Sequence, residues 1–188
     1  DGKYPCNNID LLARVTPSDF SVQPLSGGAA FNDIWGWTDP QTGKEYALVG
    51  RVDGTSFVDV SNPSNPEVIG MLPKPDSASA STWRDIKVYK NYAYIVADNA
   101  GPHGMQVFDL ANLRDAGNSG QTFQATAHYD QVHSAHNVVI NTNTAYAYIV
   151  GSVGGGKTCG SGLHMVDIAE PLNPSFVGCF ADPSTGRS

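Results

Sequence analysis

The sequence predicts an all-β, β-propeller-like array of about three four-stranded antiparallel blades that form part of a larger ring. Similar phrases begin at Asn32, Arg84 and His136, with a constant spacing of 52 residues. Each phrase opens a series of short runs rich in Val, Ile, Tyr and Phe, and clusters of Gly, Pro, Asn and Asp separate the runs. A repeat of this length with several short strands is typical of propeller blades, and one such unit cannot bury its faces alone.

Each repeat divides into four predicted strands. In the first repeat they cover residues 32–37, 45–50, 54–60 and 67–72. In the second repeat they cover 84–89, 92–97, 105–110 and 124–129, and in the third 136–140, 145–151, 163–168 and 175–180. Apolar runs such as 47–49 do not alternate with polar residues, which indicates strands that are covered on both faces, as in blades packed between other blades.

Three aspartates occupy matching places in the repeats. Asp59, Asp109 and Asp167 each lie at the end of the third predicted strand and precede a turn. An aspartate in this place accepts hydrogen bonds from backbone N–H groups of the turn. We therefore predict a structural role for all three. Just before them, Phe57, Val107 and Met165 also match one another, and these side chains are expected in the core.

The repeats set the domain organisation. Residues 1–30 are expected to form an N-terminal extension that contributes to the ring edge, and the repeats cover 31–82, 83–134 and 135–188. Three blades leave two open edges with unpaired backbone groups, so we expect further chain or subunits to complete the propeller. The net charge of −7, with 11 scattered basic residues, argues against a nucleic-acid or anionic-membrane partner. No stretch is long and apolar enough for a direct membrane span.

The chain has three cysteines, two of them in the third repeat. Cys159 precedes the third predicted strand of that repeat and Cys179 lies near the end of the fourth, so a disulfide between them is favoured over two free thiols. Such a bridge would contribute about 3 kcal/mol by the chain-entropy estimate and would indicate an oxidising compartment. Cys6 is left without a partner in the sequence, which again suggests further chain.

Six phrases resemble the LVIVD-repeat proteins, in particular the bacterial choice-of-anchor B group. They cover residues 46–50, 54–63, 83–88, 103–109, 135–140 and 159–167, and the resemblance extends from residue 6 to residue 182. It implies a propeller-like repeat domain without well-established chemistry, secretion, and surface attachment through varied C-terminal anchors. Members of the group continue beyond the position of Phe180 with further repeats, so the sequence is similar to their N-terminal portion.

The blade topology predicts a binding face. In a four-stranded antiparallel blade, the start of the first strand, the loop between the second and third strands, and the link to the next blade lie on one face. The polar residues predicted to bind a ligand there are Asp33, Arg84, Asp85, His103, His136 and Asn137. The opposite turns contain mostly Pro, Asn, Thr and Gly. We therefore predict a secreted, cell-surface or periplasmic binding module with a protein or carbohydrate ligand.

Two other functions are compatible with these residues. His103, His133 and His136 could hold a zinc or calcium ion in a metal-dependent hydrolase or lyase, with Arg84 or Asp85 serving the substrate. The competing interpretation is that these histidines bind the loop backbone. A structural spacer that presents a separate anchor or domain is the third possibility. No catalytic residue is predicted.

Some residues invite a functional interpretation that their context does not favour. The segment from Gly151 to Thr158 has the letters of a phosphate-binding loop, but it joins two predicted strands and no helix follows. His164 lies inside a predicted strand and is expected to be an interior residue with satisfied hydrogen bonds. Three tryptophans are expected to pack between blades rather than to bind a ligand: Trp35, Trp37 and Trp83.

Overall fold

The computed structural model describes residues 7–117 and 120–181, which form three four-stranded antiparallel sheets arranged as blades. Blade 1 comprises β1 (Phe31–Thr38), β2 (Glu45–Arg51), β3 (Gly54–Asp59) and β4 (Glu67–Pro73). Blade 2 comprises β5 (Arg84–Tyr89), β6 (Tyr92–Ala97), β7 (Met105–Asp109) and β9 (Ala127–Tyr129). Blade 3 comprises β11 (Asn137–Asn141), β12 (Tyr146–Val150), β14 (Leu163–Asp167) and β15 (Ser175–Phe180). The predicted all-β, propeller-like fold class is confirmed.

Three short strands lie outside this plan. β8 (Gln121–Thr122) joins blade 1 by pairing in parallel with β4. β10 (Val132–Ser134) pairs with β13 (Val153–Gly156) and forms a two-stranded ribbon. Two short 3-10 helices cover Leu110–Leu113 and Cys159–Ser161. Because part of the loop after β7 pairs with the preceding blade, the fourth strand of the second repeat begins at residue 127, and the prediction of 124–129 was too long.

The three repeated aspartates fix the turn after the third strand of each blade. The backbone N–H groups of Ser61, Ala111 and Ala169 donate to the carboxylate two residues earlier, at 3.0, 2.9 and 2.8 Å. The acceptors are Asp59, Asp109 and Asp167, so the predicted structural role of these residues is confirmed. The same local bond recurs although the turns that follow differ in sequence.

The core lies between the blades rather than within them. Leu48 and Phe57, which are paired across β2 and β3, are fully buried against blade 2, and Phe57 stacks on Phe108 with ring centroids 4.7 Å apart. Tyr94 and Val107 are paired in the same way in blade 2 and are equally buried against blade 3. Each large apolar side chain buried in this way contributes about 1.5–3 kcal/mol relative to its exposure to water.

A second interaction joins the first strands of consecutive blades. The backbone N–H of Ile86 donates to Asp33 Oδ2 at 2.7 Å, and the backbone N–H of Val138 donates to Asp85 Oδ2 at 2.7 Å. We call this repeated bond the interblade clasp. The first strand of a blade has an unpaired edge, and the clasp gives one of its N–H groups a charged acceptor.

The face of blade 1 that points away from blade 2 is covered by the N-terminal segment. Phe20 and Val22 from the N-terminal segment are buried in a cluster with Val52 and Val58 of blade 1. This segment therefore takes the place that a preceding blade occupies in blades 2 and 3. It covers the sheet only in part, because Ile34 on β1 remains exposed.

A disulfide joins Cys159 to Cys179, with a Cα–Cα distance of 5.2 Å, and confirms the predicted bridge. It ties the second 3-10 helix to β15 within blade 3. Cys6 lies outside the described residues. In the part of the chain that the structure describes, no helix has the length and apolar character needed to cross a bilayer.

Replacing Asp85 with alanine tests the interblade clasp. We expect Asp85→Ala to lower the free energy of unfolding by about 1–3 kcal/mol, because the buried Val138 N–H loses its acceptor. Asp85→Asn should cost less, since its amide oxygen can still accept this bond. Chemical unfolding measures both effects, with Asp76→Ala on an exposed loop as the control. Equal stability of the Asp85→Ala and Asp76→Ala proteins would contradict the role of the clasp.

Candidate functional site

The loop-rich face carries two groups of the predicted binding residues, one buried and one exposed. Arg84, Asp85 and His103 are almost completely buried between blades 1, 2 and 3. His136 and Asn137, at the start of blade 3, are exposed. The sequence predicted that all of them lie on one face, but it did not predict which of them are buried.

Arg84 and His103 form a buried pair. Arg84 Nη1 donates to His103 Nε2 at 2.7 Å, and His103 Nδ1 donates to the carbonyl oxygen of Gly104 at 2.9 Å. The guanidinium also donates through Nε to the carbonyl oxygen of Arg51 at 2.5 Å, which connects blades 1 and 2. Burial and the positive charge of Arg84 lower the pKa of His103 to about 3, so its imidazole is neutral. Burial also lowers the pKa of Arg84, to about 10.

Asp33 and Asp85 are the acceptors of the interblade clasp. Asp85 also forms an ion pair with Lys87, whose ammonium group lies 4.5 Å from the ring centroid of Trp35 on blade 1. Burial raises the pKa of Asp33 above its usual value. These carboxylates have partners in the protein, and their predicted binding role stays a prediction.

A patch accessible to solvent lies where blades 2 and 3 meet. His136 Nδ1 of blade 3 donates to Asp98 Oδ2 of blade 2 at 2.9 Å, and the His136 side chain is 57% exposed. The backbone N–H of Asp98 donates to the carbonyl oxygen of Trp83 at 3.0 Å. Trp83 itself is 50% exposed. We call Trp83, Asp98, His133 and His136 the interblade patch.

The β10–β13 ribbon borders this patch. His133, on β10, donates from Nδ1 to the carbonyl oxygen of Gly154 at 3.0 Å. Gly155 follows with a φ of +127°, and an added Cβ would lie 2.4 Å from the His133 ring, so only glycine fits beside this histidine. The glycine-rich segment thus forms a strand of the ribbon, and only the short 3-10 helix Cys159–Ser161 follows it, rather than the longer helix that a phosphate-binding loop requires.

The three tryptophans differ in their environment. Trp37 is buried between blades 1 and 2, which confirms the packing role predicted for it. Trp35 is half-exposed beneath Lys87. Trp83 precedes β5 in the link between blades and is 50% exposed, so only part of its surface is available for the predicted packing between blades. Trp83 precedes the first residue of a predicted strand, and this position could have indicated that its side chain is partly exposed.

The predicted metal ligands are held by separate partners. Both ring nitrogens of His103 bind protein groups, and His133 and His136 bind Gly154 and Asp98. Within residues 7–117 and 120–181, no group of three or more His, Cys, Asp or Glu side chains is arranged to hold a metal ion. The zinc or calcium site gains no support from this geometry and stays a prediction, as does the enzyme function that would depend on it.

Two further histidines also bind protein groups. His164 is fully buried, and its ring nitrogens bind the Tyr129 hydroxyl and the carbonyl oxygen of Lys157, each at 2.7 Å. This confirms the predicted interior residue with satisfied hydrogen bonds. His128 donates to the carbonyl oxygen of His103 at 2.7 Å. Backbone binding is therefore the common role of His103, His128 and His133.

Comparison with known families identifies the repeat. Residues 44–72 and 82–108 match the LVIVD repeat. These two segments of the chain are similar to LVIVD repeats. The first LVIVD match extends from just before β2 to β4, and the second from just before β5 into β7. Together with the four-stranded sheets, this match supports a β-propeller-type module. No curated protein matches the sequence.

The neutral His103 predicts how stability depends on pH. The folded state binds a proton at His103 only near pH 3, whereas the unfolded chain does so near the ordinary value of 6.5. Between these values the unfolded state binds more protons, so stability falls as the pH is lowered, by up to about 1.4 kcal/mol per pH unit. Urea unfolding from pH 7 to pH 4 measures this slope, and His103→Gln should reduce it. An unchanged slope in the variant would contradict the assignment.

Proposed function

We propose that the protein is a carbohydrate-binding propeller module and that the interblade patch is its binding surface. The single observation that supports this proposal most directly is the half-exposed Trp83, whose carbonyl oxygen accepts the backbone N–H of Asp98, the partner of His136. An indole on a surface offers a broad apolar face and one polar edge. Flanking polar groups can bind hydroxyls around a ring that stacks on this face.

The polar groups of the patch are suited to hydroxyl ligands. His136 uses Nδ1 for Asp98, and among the described residues no protein group binds its Nε2. A ligand hydroxyl could therefore donate to this nitrogen, or accept from it when the ring is protonated. The carboxylate of Asp98 and the net charge of −7 disfavour an anionic ligand. We therefore propose a neutral sugar rather than an acidic one.

The buried polar residues would support the patch rather than contact the ligand. Asp85 holds the backbone of Val138, two residues after His136, through the interblade clasp. Arg84 follows Trp83 directly and is anchored by His103 and Arg51. On this account, Arg84, Asp85 and His103 position the patch through the backbone, whereas His136 contacts the ligand.

We also propose that the protein acts outside the cytosol. The Cys159–Cys179 disulfide supports an oxidising compartment. The resemblance to the bacterial choice-of-anchor B group supports secretion and attachment at the cell surface. Non-reducing peptide mapping of native material tests this proposal, which would fail if both cysteines were recovered as free thiols.

Titration with neutral oligosaccharides tests the binding proposal. The probes are xylo-, cello-, malto- and chito-oligosaccharides, and tryptophan fluorescence and calorimetry report binding. We expect one class to bind and Trp83→Ala to weaken that binding about tenfold or more, since it removes a stacked aromatic contact. His136→Ala should weaken binding by a smaller factor.

Trp35→Ala is the matched control, because Trp35 is also partly exposed but lies in the middle of β1. Its affinity should remain close to that of the unmodified protein. Absence of binding for all four classes at millimolar concentration would contradict the proposal. So would equal affinity of the Trp83→Ala and Trp35→Ala proteins.

A further inference from the structure

The outer face of blade 3 repeats the surface that blades 1 and 2 bury. In blade 1 the paired residues Leu48 and Phe57 face blade 2, and in blade 2 the paired residues Tyr94 and Val107 face blade 3. All four are fully buried. The pair in the same register of blade 3 is Tyr148 with Met165. These side chains are only partly buried, and Val139, beside Tyr148 on β11, is 57% exposed.

The acceptor of the interblade clasp is also repeated. Asp33, Asp85 and Asn137 are spaced by 52 residues, and the first two bind a backbone N–H of the next blade. Asn137 is exposed, and within the described residues no hydrogen bond uses its side chain. Its amide oxygen can accept the same bond as an aspartate. Blade 3 therefore presents both parts of the interface, the apolar row and the acceptor.

We propose that the outer face of blade 3 is the docking surface for a fourth LVIVD-type blade, whose first strand donates a backbone N–H to the Asn137 side chain. The two interfaces within the chain define the chemistry of this partner. The docking faces of blades 2 and 3 carry a branched residue on the first strand, alanine and isoleucine on the second, and apolar residues on and after the third. In blade 2 these residues are Ile86, Ala93, Ile95, Phe108 and Leu110, and in blade 3 they are Val138, Ala147, Ile149, Val166 and Ile168.

Blade 1 of a second copy is a poorer partner. Its corresponding face is already in contact with its own N-terminal segment, in which Phe20 and Val22 pack near Val58. Docking there would require this buried segment to leave. A free blade with the pattern given above meets no such obstacle, and it continues the register of two existing interfaces.

The experiment appends a second copy of residues 82–134, the chain's own blade 2 repeat, after residue 188. Val139→Cys is introduced, and its alkylation rate is measured with and without the appended repeat, after subtraction of the signal from the native cysteines. We expect the appended repeat to slow alkylation about tenfold or more, because labelling then requires the interface to open. Thr142→Cys, in the exposed turn after β11, is the control and should react equally in both proteins.

Variants of the clasp separate specific docking from general crowding. Asn137→Leu should remove most of the protection in the fused protein, and Asn137→Asp should keep it. An alkylation rate of the Val139→Cys thiol that does not change on fusion would overturn the proposal. Protection of the same thiol without the appended repeat, in a protein that light scattering finds dimeric, would also overturn it in favour of a second copy.

Discussion

The hydrogen bond from a backbone N–H of one blade to an aspartate of the preceding blade is the constraint on which the arrangement of the blades depends. Apolar packing between the sheets supplies most of the stabilisation, but it is non-directional and tolerates sliding. A charged acceptor on the first strand of one blade and a single N–H on the first strand of the next blade fix the relative position of the two strands. Asp33 and Asp85 do this at two successive interfaces with the same distance, so the register is repeated as well as the sequence.

This constraint also explains why the interblade patch forms where it does. Asp98 belongs to the loop after β6, and His136 immediately precedes β11, so their bond crosses the interface of blades 2 and 3. Trp83 contributes from the link between blades 1 and 2 and binds Asp98 through the backbone. Arg84 follows Trp83 in the chain, and its buried partner His103 is neutral, which leaves one buried positive charge rather than two. The position of the patch therefore depends on the contact between the blades.

Much of the fold could be predicted because it depends on local sequence. Repeated apolar runs located the strands of blades 1 and 2 to within one or two residues, except β9, the last strand of blade 2. Asp59, Asp109 and Asp167 could be assigned because an aspartate before a turn bonds a backbone group two residues away. The Cys159–Cys179 bridge followed from the position of two cysteines in one repeat. None of these inferences needed contacts between blades.

The site could be predicted only in part, because polarity in a sequence does not reveal the partner. Asp33, Arg84 and Asp85 were correctly placed at the starts of first strands, but their bonds to neighbouring blades depend on tertiary contacts. β8, β10 and β13 are two to four residues long and pair outside their own blades, so periodicity could not identify them. Trp83 was interpreted as a packing residue because the sequence does not show which groups surround its side chain.

Amide hydrogen exchange at Ile86 and Val138 tests the role of the interblade clasp most directly. Because these N–H groups bind carboxylates at the interfaces between blades, they should exchange only when the interface opens, at least about 1,000-fold more slowly than in an unstructured chain. In Asp33→Ala, exchange should accelerate at Ile86 while Val138 stays protected. Exchange of both amides in the unmodified protein at the rate of an unstructured chain would contradict the account.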